Sequence, residues 1–328
     1  MFIVTEMQKD GLFPPQWGPT MCMGERKAVR TAVCVSALAL AAVVLTPVAA
    51  SASGDPTPLP TVHNPIDAQG LGGLSVETVR YGSHQRQSMD VWWTPDGQQR
   101  PGVFLIHGGW WSSGDKKYMK EIVRGYAELG YTVFNLNYRL SSDAAWPAQR
   151  SDALAAIALA RKHADKWAFD PKNYVLVGFS AGGHIAAAVG TYGDGINGLK
   201  GVVGLSPIIS PLRAYSDGAK SPDPNKRRLR TAAIKLAGGC APKGKCSRVW
   251  ASMEVAWHAS RKDAPMLTVH SKDEFVPPVQ SQLLKQMLGQ VGVPVTVLTA
   301  PGTNHSSPLY REPGVAERVQ AWIAERIG

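Results

Sequence analysis

Several features that would assign this chain to a specialised class of protein are missing. The 328 residues include only four cysteines, and no group of Cys and His residues has the spacing of a zinc site. No internal repeat or low-complexity tract occurs, which argues against a repeat architecture. No stretch interleaves basic and aromatic residues as nucleic-acid-binding modules do. We therefore expect no metal site and no nucleic-acid partner.

Acidic residues are fewer than basic ones, and the formal net charge is +10. The basic residues are scattered along the chain, except for one run at residues 226–230. A solvated basic surface accounts for this pattern. The alternative is attraction to an acidic polymer or an anionic surface, which would show a steep salt dependence.

The N-terminal region has the pattern of a secretory signal. A basic segment at residues 23–30 precedes an apolar run at residues 32–45, and small residues at 50–52 offer an A-x-A-like cleavage site. About twenty apolar residues can just span a bilayer, so an uncleaved anchor is the alternative. The cleavage pattern favours removal, and we expect a secreted protein with no stable membrane insertion afterwards.

This interpretation divides the chain into three parts. Residues 1–52 form an upstream extension and signal peptide, in which translation is expected to start at Met21 or Met23. Residues 53–72 are rich in Pro, Ser, Gly and Asn and form a flexible lead-in. Residues 73–328 are long enough to bury one large α/β core and form the expected catalytic domain.

Export would leave Cys240 and Cys246 as the two remaining cysteines. The five residues between them include Pro and Gly, which suit a tight loop. In an oxidising compartment these cysteines are expected to form a disulfide. Two free buried thiols are the alternative.

Strand-like and helix-like patterns alternate along the catalytic domain. Eight strands are predicted at residues 74–81, 89–93, 103–107, 132–138, 174–179, 201–205, 266–270 and 295–298. The first two follow one another without a helix and predict an antiparallel edge. The later alternation predicts a mostly parallel sheet with helices on both faces. Residues 210–263 interrupt it and are interpreted as a cap over the carboxyl edge of the sheet.

The segment Gly178–Phe179–Ser180–Ala181–Gly182 matches the nucleophile-elbow pattern G-x-S-x-G. A predicted buried strand precedes it and a predicted helix follows it. This context places the Ser180 hydroxyl at the carboxyl edge of the sheet, beside a helix N-terminus. Ser180 is therefore the candidate nucleophile.

A serine nucleophile needs a base, and the base needs a group that orients it. His305 lies in a Gly/Pro loop just after the last predicted strand and is the candidate base. Asp273 lies in a turn after the preceding strand and is the candidate acid. Glu274 is a second candidate for the same role. Chain order Ser, Asp, His is the order expected with this elbow.

The strand before His107 ends in Gly108–Gly109–Trp110–Trp111. The backbone amides of Gly108 and Gly109, with that of Ala181, are the expected oxyanion-hole donors. Trp110 and Trp111 are predicted to shape a substrate subsite, although core packing is the alternative for both.

Together these residues resemble the α/β-hydrolase superfamily, in its esterase and lipase branch. That branch includes hormone-sensitive-lipase-like carboxylesterases and bacterial feruloyl or acetylxylan esterases. The resemblance runs from about Gly82 to the C-terminus. Many relatives have a third glycine where this chain has Trp110, a variant also similar to the H-G-G-x-W motif of kynurenine formamidases.

The expected function is that of a secreted serine hydrolase that cleaves carboxylic esters through an acyl-enzyme on Ser180. It would act on a small-molecule or polymer-attached ester and need no cofactor. An amidase, formamidase or peptidase using the same triad is the alternative, and a non-catalytic binding protein of the same fold is a more remote one. No sequence feature indicates an oligomeric state.

Overall fold

The computed structural model describes residues 73–328. The expected signal peptide within residues 1–52 and the lead-in at 53–72 lie outside the described residues. Eight strands form one sheet. They are β1 Ser75–Arg80, β2 Ser88–Trp93, β3 Arg100–Ile106, β4 Thr132–Leu136, β5 Phe169–Phe179, β6 Leu199–Leu205, β7 Met266–Ser271 and β8 Val295–Ala300.

The strand order in the sheet is β1-β2-β4-β3-β5-β6-β7-β8. β1 pairs with β2 and β2 with β4 in antiparallel fashion, and every later pairing is parallel. The predicted antiparallel edge and the mostly parallel eight-stranded sheet are both confirmed. Because β3 to β8 run the same way, the loops that follow them meet at one edge of the sheet.

Within residues 73–328, nine α-helices accompany the sheet. They are α1 Lys120–Glu128, α2 Ala148–Lys162, α3 Ala181–Gly190, α4 Pro211–Asp217, α5 Pro224–Leu236, α6 Ser247–Met253, α7 Val279–Gln290, α8 Ser307–Tyr310 and α9 Val315–Ile327. The interruption at 210–263 contains α4, α5 and α6.

Side chains of the central strands alternate between two apolar layers. In β3, Val103 and Leu105 belong to a buried cluster that also contains residues of α1 and α9. Phe104 lies on the other face, where its ring stacks on Phe134 at 4.4 Å and meets Phe169 edge-on at 5.9 Å. A sheet buried on both faces explains why the strands read as continuous hydrophobic runs. Its rigidity fixes the loops at the carboxyl edge.

In the part of the chain that the structure describes, no helix combines the length and apolarity needed to cross a bilayer.

Candidate active site

Ser180 lies at a sharp turn between β5 and α3. Its backbone angles are φ 52° and ψ −114°, in a region that a residue with a side chain rarely adopts. A Cβ atom on Gly178 would lie 2.2 Å from the carbonyl oxygen of Gly182. A Cβ atom on Gly182 would lie 2.1 Å from the carbonyl oxygen of Ile106. The two glycines of the pattern are therefore required by close packing around the turn, and they hold Ser180 at the carboxyl edge of the sheet.

His305 lies in the loop that follows β8, and its Nε2 is 2.8 Å from the Ser180 hydroxyl oxygen. The next residue, Ser306, has a positive φ of 65°. Its backbone N–H donates to the Oγ of Ser206, at 2.9 Å, in the residue directly after β6. The loop that carries the imidazole is therefore fixed to a strand end next to that of the nucleophile.

The carboxylate that contacts His305 belongs to Glu274, not to Asp273. Nδ1 of His305 donates to Oε2 of Glu274, whose side chain is fully buried. Asp273 is exposed, and its backbone N–H donates to the carbonyl oxygen of Gly302 at 3.0 Å. The prediction of Asp273 as the partner of His305 is therefore wrong for this structure. Pairing of the turn backbone with the loop after β8 leaves the Asp273 side chain in solvent, and its neighbour turns inward.

Both carboxylate oxygens of Glu274 are held. Oε1 accepts from the backbone N–H of Ser271 at 3.0 Å and lies 3.2 Å from Nδ1 of His270. Nε2 of His270 lies 2.7 Å from the Ser281 hydroxyl. Burial alone would raise the pKa of Glu274, but hydrogen bonds from His270 and His305 outweigh it and lower the pKa below its ordinary value. Glu274 is therefore ionised at neutral pH.

The loop after β3 brings two glycines against the nucleophile. A Cβ atom on Gly108 would lie 2.9 Å from the Phe179 carbonyl oxygen and 3.2 Å from the Ser180 Cβ. Gly109 has a φ of 123°, and a Cβ there would lie 2.2 Å from the Ser113 carbonyl oxygen. This close approach permits backbone donors next to Ser180.

The three predicted oxyanion-hole amides have no acceptor within residues 73–328. The N–H groups of Gly108 and Gly109 form no hydrogen bond there. Ala181 is the first residue of α3, so its N–H has no partner within the helix. All three donors are available to an oxygen that develops negative charge.

Arg86 braces this loop and was missed by sequence reasoning. It comes from the hairpin between β1 and β2, and its guanidinium donates to the carbonyl oxygens of Gly114 at 2.9 Å and Tyr138 at 2.8 Å. It also lies 3.2 Å from Nε2 of His107. A single arginine in a turn gives no local sequence signal for such a long-range contact.

His107 is a structural residue of the loop. Its ring stacks on Tyr138 at 4.5 Å, and Nδ1 lies 2.7 Å from the carbonyl oxygen of Gly108. Burial lowers the pKa of His107 to about 4. The ring is therefore neutral at neutral pH, and Nδ1–H donates to the Gly108 carbonyl.

The two adjacent tryptophans have different environments. Trp110 lines a cavity of about 250 Å³ together with Ser180 and His305. Trp111 is completely buried, and its Nε1–H donates to Nδ1 of His184 at 3.2 Å. The prediction that Trp111 contacts substrate is therefore wrong for this structure, because packing against α3 removes the ring from the cavity.

Phe275 lies between Trp110 and His305 and was also missed. Its ring stacks on Trp110 with centroids 5.2 Å apart and lies 4.2 Å from the His305 ring. Phe275 lines the same cavity. It directly follows Glu274 in the turn after β7, so one turn supplies both the carboxylate and an aromatic wall. Within residues 73–328, no group of three or more His, Cys, Asp and Glu side chains could hold a metal ion.

The insertion at residues 210–263 contacts α3 and the ring of Trp110. A disulfide joins Cys240 and Cys246, as predicted, with Cα atoms 6.2 Å apart. Trp250 is buried beside it and donates from Nε1 to the Cys240 carbonyl oxygen at 2.9 Å. Nε2 of His184, in α3, lies 2.9 Å from the carbonyl oxygen of Met253. These contacts fix the insertion to the helix that begins at the nucleophile.

Solved structures share this arrangement of sheet and helices. Esterase B from Lactobacillus rhamnosis aligns with a TM-score of 0.66 and 21% identity, over 78% of this chain and 85% of that one. This chain has the α/β-hydrolase fold. The expected fold class and the expected resemblance to esterases and lipases are both confirmed.

Sequence relatives of this chain agree with the structural likeness. Residues 89–207 match the BD-FAE family model. Esterase LipC of Mycobacterium tuberculosis is 34% identical over 120 residues, which are 34% of this chain and 28% of that protein. Human hormone-sensitive lipase is 25% identical over 190 residues, or 50% of this chain and 18% of the lipase. The matched segments thus span less than a third of the length of each of these relatives.

Proposed function

We propose that this protein is a serine hydrolase that cleaves carboxylic esters through an acyl-enzyme on Ser180. The observation that carries the proposal is the continuous chain of contacts from the Ser180 hydroxyl through His305 to the buried carboxylate of Glu274. The names of the relatives, which are esterases and lipases, support the same class of reaction.

In the proposed mechanism, the Ser180 hydroxyl attacks the ester carbonyl carbon while Nε2 of His305 takes its proton. Glu274 accepts from Nδ1–H, which fixes the imidazole tautomer and stabilises the imidazolium. Collapse of the tetrahedral intermediate breaks the bond to the alcohol oxygen, which receives the proton from Nε2. Water then attacks the acyl-enzyme, with His305 as base, and releases the acid and free Ser180.

The free amides of Gly108, Gly109 and Ala181 are proposed to stabilise the oxyanion. Loss of one such donor costs on the order of 3 kcal/mol in the barrier. The cavity of about 250 Å³ suits a small acyl or alcohol group better than a long chain. Trp110 and Phe275 form its aromatic wall.

The proposal is tested by Ser180→Ala and by covalent labelling. The variant is expected to lose hydrolysis of 4-nitrophenyl acetate, and a fluorophosphonate probe is expected to label the wild type and not the variant. Thr191→Ala, a buried hydroxyl at the far end of α3, is the matched control and should be labelled. Near wild-type turnover by a folded Ser180→Ala protein would exclude the mechanism.

We also propose that residues 23–52 direct export and are removed, leaving 53–72 as a lead-in to the catalytic domain. The disulfide between Cys240 and Cys246 is compatible with an oxidising compartment. Expression of the full chain with a C-terminal tag and N-terminal sequencing of the protein from the medium tests this. A secreted product that begins after residue 50 supports export with cleavage, whereas a product that begins at Met23 contradicts cleavage.

A further inference from the structure

We infer that Arg228 forms a subsite for a carboxylate group of the substrate at the rim of the cavity. The preferred esters would then carry an anionic group remote from the ester carbonyl. The inference rests on the proposed ester hydrolysis at Ser180, and it adds a substrate class to it.

Arg228 is placed against the wall of the cavity by the insertion. Arg228 lies on α5. Its guanidinium carbon is 4.7 Å from the centre of the Trp110 ring. Trp110 lines the cavity that contains Ser180 and His305. The positive charge therefore lies beside the substrate-facing surface and not on a distant part of the molecule.

The neighbouring arginines of α5 are already engaged. Arg227 donates to the carbonyl oxygens of Ser221 at 2.8 Å and Pro222 at 2.6 Å. Arg230 donates to the carbonyl oxygen of Tyr215 and lies 3.5 Å over that ring. Both guanidiniums therefore hold the insertion together.

Arg228 differs from both neighbours. It is exposed, and within residues 73–328 its guanidinium donates to no acceptor and pairs with no carboxylate. Its one contact of this kind is with the ring of Trp110, and this contact uses none of its N–H donors in a hydrogen bond to an acceptor. A guanidinium can donate two of its N–H groups to the two oxygens of a carboxylate, and the contact with Trp110 reduces the entropy lost when the pair forms.

The rings set the distance between the anion and the reacting bond. Arg228 contacts Trp110, Trp110 contacts Phe275, and Phe275 contacts His305. The ring centres are 5.2 Å apart for Trp110 and Phe275 and 4.2 Å apart for Phe275 and His305. A substrate that reaches both ends therefore has an apolar spacer along these rings. An aromatic or medium-length aliphatic ester with a terminal carboxylate fits this description.

One acidic side chain also lines the cavity, and its charge is compensated. Asp115 lies 3.6 Å from the guanidinium of Arg86 and accepts from the side-chain amide of Asn137 at 2.9 Å. Burial opposes ionisation of Asp115, but the hydrogen bonds from Lys117 and Asn137 outweigh it and lower its pKa. Its charge is thus balanced by Arg86, and no such partner balances Arg228.

The test compares Arg228→Gln with Arg227→Gln. The two substitutions remove the same charge from adjacent positions of α5. The probes are matched pairs, each an anionic ester and its methyl-capped neutral form. One pair is a series of 4-nitrophenyl half-esters of dicarboxylic acids of increasing length, with the charge on the acyl side. The other is 4-(acetoxymethyl)benzoate, with the charge on the alcohol side.

In at least one pair, wild type is expected to prefer the anionic ester by about tenfold in kcat/KM, mainly through KM, as for a charged hydrogen bond. Arg228→Gln is expected to abolish this preference, and Arg227→Gln to retain it. No preference in wild type for either pair would overturn the inference, as would an equal loss in both variants. If Ser180→Ala retained turnover, the proposed function itself would fail, whereas hydrolysis without an anionic preference would remove the subsite alone.

Discussion

Nδ1 of His270 lies 3.2 Å from Oε1 of Glu274, on the carboxylate oxygen that does not contact His305. One buried carboxylate is therefore shared by two imidazoles, one at the end of β7 and one in the loop after β8. Its two oxygens have separate tasks. Oε2 orients the proposed base, and Oε1 is held in place by its own strand.

Glu274→Gln is expected to lower kcat by roughly 10² to 10⁴, as loss of the charged triad acid does. The amide cannot stabilise the imidazolium, so the transition state loses its compensating charge. Asp273→Asn removes a charge from the adjacent, exposed residue and is expected to change kcat less than about twofold. Turnover of 4-nitrophenyl acetate measures both. A large loss in Asp273→Asn alone would return the role to Asp273.

His270→Gln is expected to add a loss of kcat/KM at the acid end of the pH profile. The hydrogen bond from His270 lowers the pKa of Glu274, so its removal raises that pKa and Glu274 becomes protonated at a higher pH than in wild type. Ser281→Ala removes only the hydroxyl that lies 2.7 Å from Nε2 of His270, the ring nitrogen that does not contact Glu274, and should change the profile less. A uniform loss of activity without any change in the profile would mean that His270 is merely structural.

Trp110→Ala is expected to change KM, and Trp111→Ala is expected to change the free energy of unfolding. Trp111 is completely buried, so its truncation leaves a cavity and should lower the free energy of unfolding by about 3–5 kcal/mol. Trp110 lines the active-site cavity, so its truncation should mainly raise KM. Urea denaturation and steady-state kinetics of both variants separate the two effects. A raised KM with unchanged stability in Trp111→Ala would restore the original prediction for that residue.

Glu254→Gln is expected to become more stable relative to wild type as the pH rises from about 4.5 to 7. Burial raises the pKa of Glu254 to about 7, although the backbone N–H of Leu212 donates to it at 2.8 Å. Between pH 4.5 and about 7, Glu254 is largely protonated in the native state and largely ionised in the unfolded state. Wild-type stability therefore falls with rising pH in this window, by roughly 1.4 kcal/mol per pH unit for this group.

Denaturant titrations of both proteins at pH 5 and pH 8 measure this difference. The buried histidines His107 and His184, whose pKa values fall to about 4, contribute with the opposite sign. They are present in both proteins and cancel when the two are subtracted. A constant difference at the two pH values would show that Glu254 does not titrate in this range.

The sequence predicted what depends on short-range pattern. All eight strands and the turn at Ser180 follow from short hydrophobic runs and from glycines that close packing requires. It did not distinguish Asp273 from Glu274, because two adjacent carboxylates in one turn carry the same local signal. Backbone pairing with a loop thirty residues away decides which one faces inward. Arg86 was missed for a similar reason, since its role exists only through contacts across the fold.

The fixation of the His305 loop has a consequence for the order in which the proposed activity and the fold would be lost. Ser180 follows β5 in the middle of the sheet, whereas His305 follows β8, a partly exposed strand at its edge. The Ser306–Ser206 hydrogen bond joins the His305 loop to the end of β6, next to β5. Fraying of that edge would release the base while the centre stays intact, so inactivation should precede the loss of circular-dichroism signal during gradual denaturation.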